Sequence, residues 1–203
     1  MESKQLLENF LNKKYPHTEM HLSEEDKVFL SRYAVDRRQS NSVAMLKELD
    51  IGESFDRYFR ENIYARIVRD DIQIIYKRFT AKSKAKNENP FDGKFPVFLD
   101  WWISKMDADG NCHCCYCGVS ESTVQAAFRE GLIHSKKPSF NGNLQIERKN
   151  PLGGYNNRDN CEFACVICNN AKSDMISYDD FKKYLAGGVK QYWGHIEEEL
   201  HEK

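Results

Sequence analysis

Two C-x-x-C units carry the clearest chemistry in the sequence. Cys114-Cys115-Tyr116-Cys117-Gly118 and Cys165-Val166-Ile167-Cys168-Asn169 are separated by 47 residues. Two residues between paired thiols let one tight turn aim both sulfurs at a single ion. Four thiolates then complete the tetrahedron of a structural Zn2+ and leave no position open for substrate. All seven cysteines lie between Cys112 and Cys168, and residues 1–111 hold none. An odd thiol count, with no apolar run after Met1-Glu2-Ser3-Lys4, argues against a disulfide framework and for an intracellular, cytoplasmic chain. Other pairings exist: Cys112 and Cys115 have the same spacing, and His113 is a further donor. Cys114 and Cys117 are preferred because Gly118 follows directly, giving the backbone freedom a knuckle needs after its second thiol. Cys161 is then a core cysteine. The zinc reads as a staple for a region with little apolar core of its own.

Between the knuckles runs Leu144-Gln145-Ile146-Glu147-Arg148-Lys149-Asn150-Pro151-Leu152-Gly153-Gly154-Tyr155, followed by Asn160. An acidic residue after a short strand, a Gly-Gly-Tyr turn, an Asn before a second strand, and a knuckle opening the helix Cys168–Asp174 form a combined pattern. In this pattern the chain resembles the HNH endonucleases, whose fold is a ββα-metal finger, over roughly residues 95–200. The resemblance is closest to the branch with Asp/Glu-Arg where better-known members have Asp-His. It implies a metal-dependent endonuclease hydrolysing phosphodiester bonds in DNA, in restriction, phage biology or phage defence. By the same resemblance, Glu147 and Asn169 hold one Mg2+ or Mn2+ ion, and Asn160 steadies the loop that carries the base.

Phosphodiester cleavage needs a cation to neutralise charge on the phosphate and leaving oxygen, and a base to activate water. Arg148 stands where the base would be. Arginine stays protonated and accepts no proton from water, but it can clamp a phosphate through two parallel hydrogen bonds. His134, Asn150 (orienting water), Tyr155 and a hydroxide on the ion are the alternatives for the base. From Arg129 to Lys172 there are seven Lys/Arg against four acids. Lys136, Lys137, Lys149 and Lys172 are expected at phosphates, without reading bases. Because the missing His also suits a catalytically inactive, zinc-stabilised nucleic-acid-binding module, that is the competing reading. A zinc-ribbon protein-interaction domain is a third.

The elements that must position these groups suit an ordinary globular chain. It has 203 residues, 40% of them hydrophobic and 12% aromatic, with 30 Lys+Arg against 31 Asp+Glu. Near-zero net charge excludes a protein that finds nucleic acid by global charge alone. Apolar runs such as Val97-Phe98-Leu99 are far too short to span a membrane, so no membrane partner is expected. Helical spacing recurs at Leu6, Leu7, Phe10 and Leu11, and again from Phe55 through Ile67, with weaker periodicity from Ile72 to Phe79. Ser23 with Asp26 suggests a capping box, and Asn41 a cap for a helix carrying Met45, Leu46 and Leu49. Lys77 to Lys86 holds five positive charges and no negative one, suiting a linker or a second nucleic-acid contact.

Turn formers at Asn87–Gly93 mark a boundary, and a short helix is expected over 95–106. Further on, Ser122 and Gln125 frame a helix ended by Gly131, and Leu144–Ile146 suits a strand. Ser177 with Asp180 opens a helix with Phe181, Tyr184 and Leu185 inward, broken at Gly187-Gly188 before a last helix along Val189, Trp193, Ile196 and Leu200. The expected class is α+β, mostly helical. A helical N-terminal region, 1–90, precedes a zinc-stapled ββα-metal (HNH) nuclease domain with C-terminal helices, 95–203. The N-terminal region would recognise DNA, self-associate or bind a protein partner.

Overall fold

The computed structural model describes residues 3–15, 71–81, 90–135, 140 and 142–202. The capping boxes and periodic stretches expected between Ser23 and Ile67, and most of the basic run to Lys86, lie outside the described residues. Helices predominate over one two-stranded antiparallel sheet, an α+β, mostly helical fold as expected. None of the described helices is long and apolar enough to cross a membrane. The chain divides into two compact units, Met1–Gly110 and Asn111–Lys203.

In the first unit, α1 (Ser3–Lys14) buries Leu6, Phe10 and Leu11, one stripe of a helix. A second helix, α2, over 71–81, buries Ile72, Ile75, Tyr76 and Phe79. A 3-10 turn at Pro90–Gly93 leads into α3 (Phe95–Ser104), where the pattern predicted a helix. Phe95, Phe98, Leu99, Trp101, Trp102 and Ile103 of α3 are all buried. Phe98 lies at the centre, its ring 5.3 Å from Phe79, 5.1 Å from Phe91 and 5.6 Å from Trp101. Tilted and edge-to-face contacts of this kind add to the burial of large apolar surfaces.

The second unit begins with the first cysteine knuckle. Helix α4 (Glu121–Arg129) follows, two residues longer at its start than predicted. Ser120, not Ser122, is the cap, its hydroxyl accepting from the Thr123 N–H at 3.0 Å. Gly131 ends α4 as expected, at φ +71°. Strand β1 (Gln145–Arg148) pairs antiparallel with β2 (Cys161–Ala164), setting Glu147 opposite Glu162 and Arg148 opposite Cys161. Helix α5 (Val166–Lys172) leaves β2 after one residue.

The last helical segment, α6, over 178–201, corrects the sequence reading twice. Ser177 caps it, its hydroxyl accepting from the Asp180 N–H at 3.1 Å, as expected. Gly187-Gly188 does not break it: a π-helical turn at Phe181–Leu185 runs directly into Ala186–His201. Phe181 is buried, but Tyr184 is 67% exposed and Leu185 46% exposed. The wider π turn shifts the buried face, so spacing counted at 3.6 residues per turn from Phe181 misplaces those two side chains. Burial of Phe181, Ala186, Trp193 and Ile196 holds the segment across the glycines.

Candidate metal centre and active site

The first knuckle is a tight turn closed by its own backbone. The Gly118 N–H donates to the Cys114 carbonyl, and the Cys114 N–H to that of Val119, each at 2.9 Å. Gly118 sits at φ +83°, a conformation disfavoured for side chains, which explains why glycine follows the second thiol. The Cys115 N–H donates to the Phe163 carbonyl of β2 at 2.8 Å, which ties the knuckle to the hairpin. Tyr116 packs its ring 5.0 Å from Phe181 and 5.2 Å from Tyr178, tying it also to α6. The second knuckle is the start of α5. Cys165 is the N-cap, and its sulfur accepts from the Cys168 N–H at 3.4 Å, the place where an Asp or Ser oxygen usually sits.

These two turns bring the buried Sγ atoms of Cys114, Cys117, Cys165 and Cys168 within 4.8 Å of one another. A tetrahedron with zinc–sulfur bonds of about 2.3 Å has edges of roughly 3.8 Å. Cys117 and Cys165 stand 3.8 Å apart, matching that edge. Without a cation, four packed thiols cannot all ionise. Hydrogen bonds led by Cys117 pull Cys114 strongly down, and those led by Cys114 push Cys168 strongly up. A divalent cation relieves this conflict by favouring all four thiolates. The four thiols can therefore hold a metal ion such as zinc. Cys115 stands outside the group, and burial pushes its thiol up. Cys112 and His113 are also outside it, and Cys161 is a buried core cysteine whose thiol faces the Tyr155 and Asn157 carbonyls.

Beside the thiols, β1 and α5 face each other through two side-chain pairs. Gln145 and Glu147 alternate onto one face of the strand. Asn169 and Lys172 lie three residues apart, on one face of the helix. The Asn169 amide donates to Gln145 Oε1. The Lys172 ammonium reaches Glu147 Oε1 at 2.8 Å. In each candidate ligand one atom is thus tied, while Glu147 Oε2 and Asn169 Oδ1 have no partner among the described residues. Two oxygens on facing elements suit a hard divalent cation such as Mg2+, which takes its remaining ligands from water and phosphate.

The loop between the strands is fixed from within. The Asn160 side chain accepts from the Asn150 N–H at 2.8 Å and donates to the Asn150 and Gly154 carbonyls at 3.1 and 3.3 Å. A Cβ on Gly153 would meet Asn160 Nδ2 at 2.7 Å, so only glycine admits this clamp. Arg148 donates to the Gly153 carbonyl and to Asp174, both at 3.3 Å, and its guanidinium lies 5.1 Å from the centre of the Tyr155 ring.

The other predicted residues divide. Lys149 leaves the end of β1 with its ammonium 5.9 Å from the Tyr178 ring, over which Lys182 also reaches at 5.5 Å. Lys172 was expected at a phosphate but is wholly buried beneath Glu147, out of reach of a strand in this conformation. His134 is exposed in the loop after α4, and the Asn150 side-chain oxygen is taken by the Leu152 N–H. Lys136 and Lys137 lie outside the described residues. Sequence reasoning missed Gln145 and the true place of Lys172. The signal was present as two same-face pairs, Gln145/Glu147 and Asn169/Lys172, once a strand and a helix are set against each other.

No protein-family model matches the chain, and no curated protein matches it. Among solved structures, the chain is similar to the rare-cutting HNH restriction endonuclease PacI. The two are 21% identical, with 61% of this chain and 80% of that one covered, at a TM-score of 0.47.

Proposed function

We propose that this chain is a metal-dependent endonuclease that hydrolyses phosphodiester bonds in DNA. The observation that carries the reading is the pair of open oxygens, Glu147 Oε2 and Asn169 Oδ1, on the two facing elements of a thiol-stapled hairpin and helix. Zinc on Cys114, Cys117, Cys165 and Cys168 is the staple. A Mg2+ or Mn2+ ion, when bound, supplies charge neutralisation at the scissile phosphate and leaving oxygen. Glu147 and Asn169 hold that ion. Asn160 keeps the Asn150–Gly154 loop in one conformation, so the segment leaving β1 meets the strand at a fixed distance. Arg148 cannot serve as the base; it remains cationic and braces the Gly153 turn at the edge of the site. Lys149 contacts a phosphate beside the cut, without reading bases.

The test is supercoiled plasmid incubated with zinc-loaded protein and Mg2+ or Mn2+. Nicking is expected, and Glu147→Ala is expected to lower it at least a hundredfold. A second reading, a catalytically inactive nucleic-acid-binding module, is favoured by Arg148 at the position of the base. DNA binding with no cleavage in any divalent metal would establish that reading in place of the first.

A further inference from the structure

Lys172 is a lysine with no exposed surface, which is costly unless every ammonium hydrogen finds an acceptor. Here each one does. Nζ lies 2.8 Å from Glu147 Oε1 and 3.3 Å from the carbonyls of both Arg148 and Ser173. Those acceptors come from the last two residues of β1 and from the end of α5. Ser173 has φ +54°, so the helix stops there and turns its carbonyl toward the ammonium. The lysine therefore joins strand to helix at the point where Glu147 leaves the strand.

We infer that Lys172 is a positioning residue for Glu147: its ammonium grips Oε1 and so presents Oε2, already oriented, to the catalytic cation. This rests on the reading of Glu147 as an ion ligand. It also replaces the phosphate contact expected of Lys172 with a role inside the protein. A rival arrangement uses the same atoms: the ammonium could be a plug that occupies the cation's place and must leave when the ion binds. The two differ in sign. A positioning lysine stays put and aids ion binding, since a carboxylate with one oxygen anchored loses less rotamer freedom on coordination. A plug is displaced, and removing it helps binding.

The decisive experiment uses zinc-loaded wild-type protein and NMR of the lysine ammonium groups, with and without saturating Mg2+. The Lys172 signal, identified by its loss in Lys172→Met, is expected to stay protected from solvent exchange with Mg2+ bound. Its release to solvent would overturn the proposal. Mn2+ titration then gives the consequence: Lys172→Met, at full zinc content, is expected to bind Mn2+ at least tenfold more weakly and to lose kcat rather than gain KM for plasmid. Tighter Mn2+ binding in that variant would overturn it as well. If Lys172→Met fails to retain zinc, the wild-type NMR result decides alone, with the signal assigned by Lys172→Arg. Glu147→Gln separates the underlying reading. Equal Mn2+ binding by wild type and Glu147→Gln would remove Glu147 as a ligand and with it both claims, whereas loss in Glu147→Gln with unchanged binding in Lys172→Met would sink the lysine's role alone.

Discussion

In the Met1–Gly110 unit, α3 alone buries six side chains, and Phe79, Phe91, Phe98 and Trp101 touch ring to ring. In the Asn111–Lys203 unit, the segment that carries the proposed active site has two strands of four residues and a helix of seven. Strands and helices that short do not hold themselves in water. The first unit draws its order from apolar area, in proportion to the side chains it buries. The second concentrates its order in four sulfurs, and through them fixes Glu147, Asn169 and Asn160. A site built this way can leave polar groups and glycines around the chemistry, because the scaffold does not depend on filling that space with hydrocarbon.

Taking the metal away is the hardest blow to this contrast. Binding to a structural zinc site contributes on the order of 10–16 kcal/mol in small zinc-folded peptides, more than a typical domain's net stability. Chelation, or Cys165→Ser, is expected to abolish amide protection at β1, β2 and α5 while sparing α2 and α3, as read by hydrogen exchange. Cys112→Ser, outside the sulfur group, is expected to leave zinc content unchanged. Equal loss of protection in both units would end the distinction between them.

Phe98→Ala is the mirror experiment. Removing a fully buried phenylalanine costs about 3–5 kcal/mol. The expected outcome is a denaturation midpoint lowered by that amount and lost protection in α3, with zinc stoichiometry unchanged. Zinc loss in Phe98→Ala would mean that the thiol-stapled unit leans on the aromatic one.

A smaller perturbation tests the loop beside the site. Asn160→Ala removes three hydrogen bonds, two of them to Asn150, and leaves the Asn150 and Gly154 groups without that partner. With the loop open to water, the expected loss is about 1–3 kcal/mol, seen as faster exchange of the Asn150 amide. Unchanged exchange at Asn150 would show that the loop holds itself.

The same contrast explains what could be read from residue types and spacing. The thiols were legible because metal ligation forces a spacing, and C-x-x-C followed by glycine has few other uses. The strand around Ile146 and the helices with regular apolar stripes, such as α3, were legible for the usual reason: burial on one face leaves a period. Lys172 was not legible. A lysine after Asn-Asn-Ala reads as a surface charge, and only the packing of α5 on β1 shows that it is buried with three acceptors. Tyr184 and Leu185 misled for a local reason, because a π turn adds a residue that no hydrophobic pattern announces. The start of α4 went to the wrong serine, since Ser120 and Ser122 are equally good caps by type and the turn before them decides.

The gentlest test falls on α6, where the helix runs through two glycines. Glycine in a helix interior costs about 1 kcal/mol relative to alanine, chiefly through the freedom it retains when unfolded. A Cβ at Gly187 or Gly188 would meet nothing within 4 Å, and neither residue has the positive φ that disfavours a side chain. Each alanine substitution is therefore expected to stabilise the Asn111–Lys203 unit by up to about 1 kcal/mol, read as slower exchange along Ala186–His201. The gain should be visible in zinc-loaded protein and leave α2 and α3 unaltered. Should either alanine destabilise α6, the glycines would have a purpose that intramolecular packing does not supply, namely close approach of some other surface to that turn of helix. Slower exchange would instead mark the pair as a tolerated weakness, held in helical form by Phe181 on one side and Trp193 and Ile196 on the other.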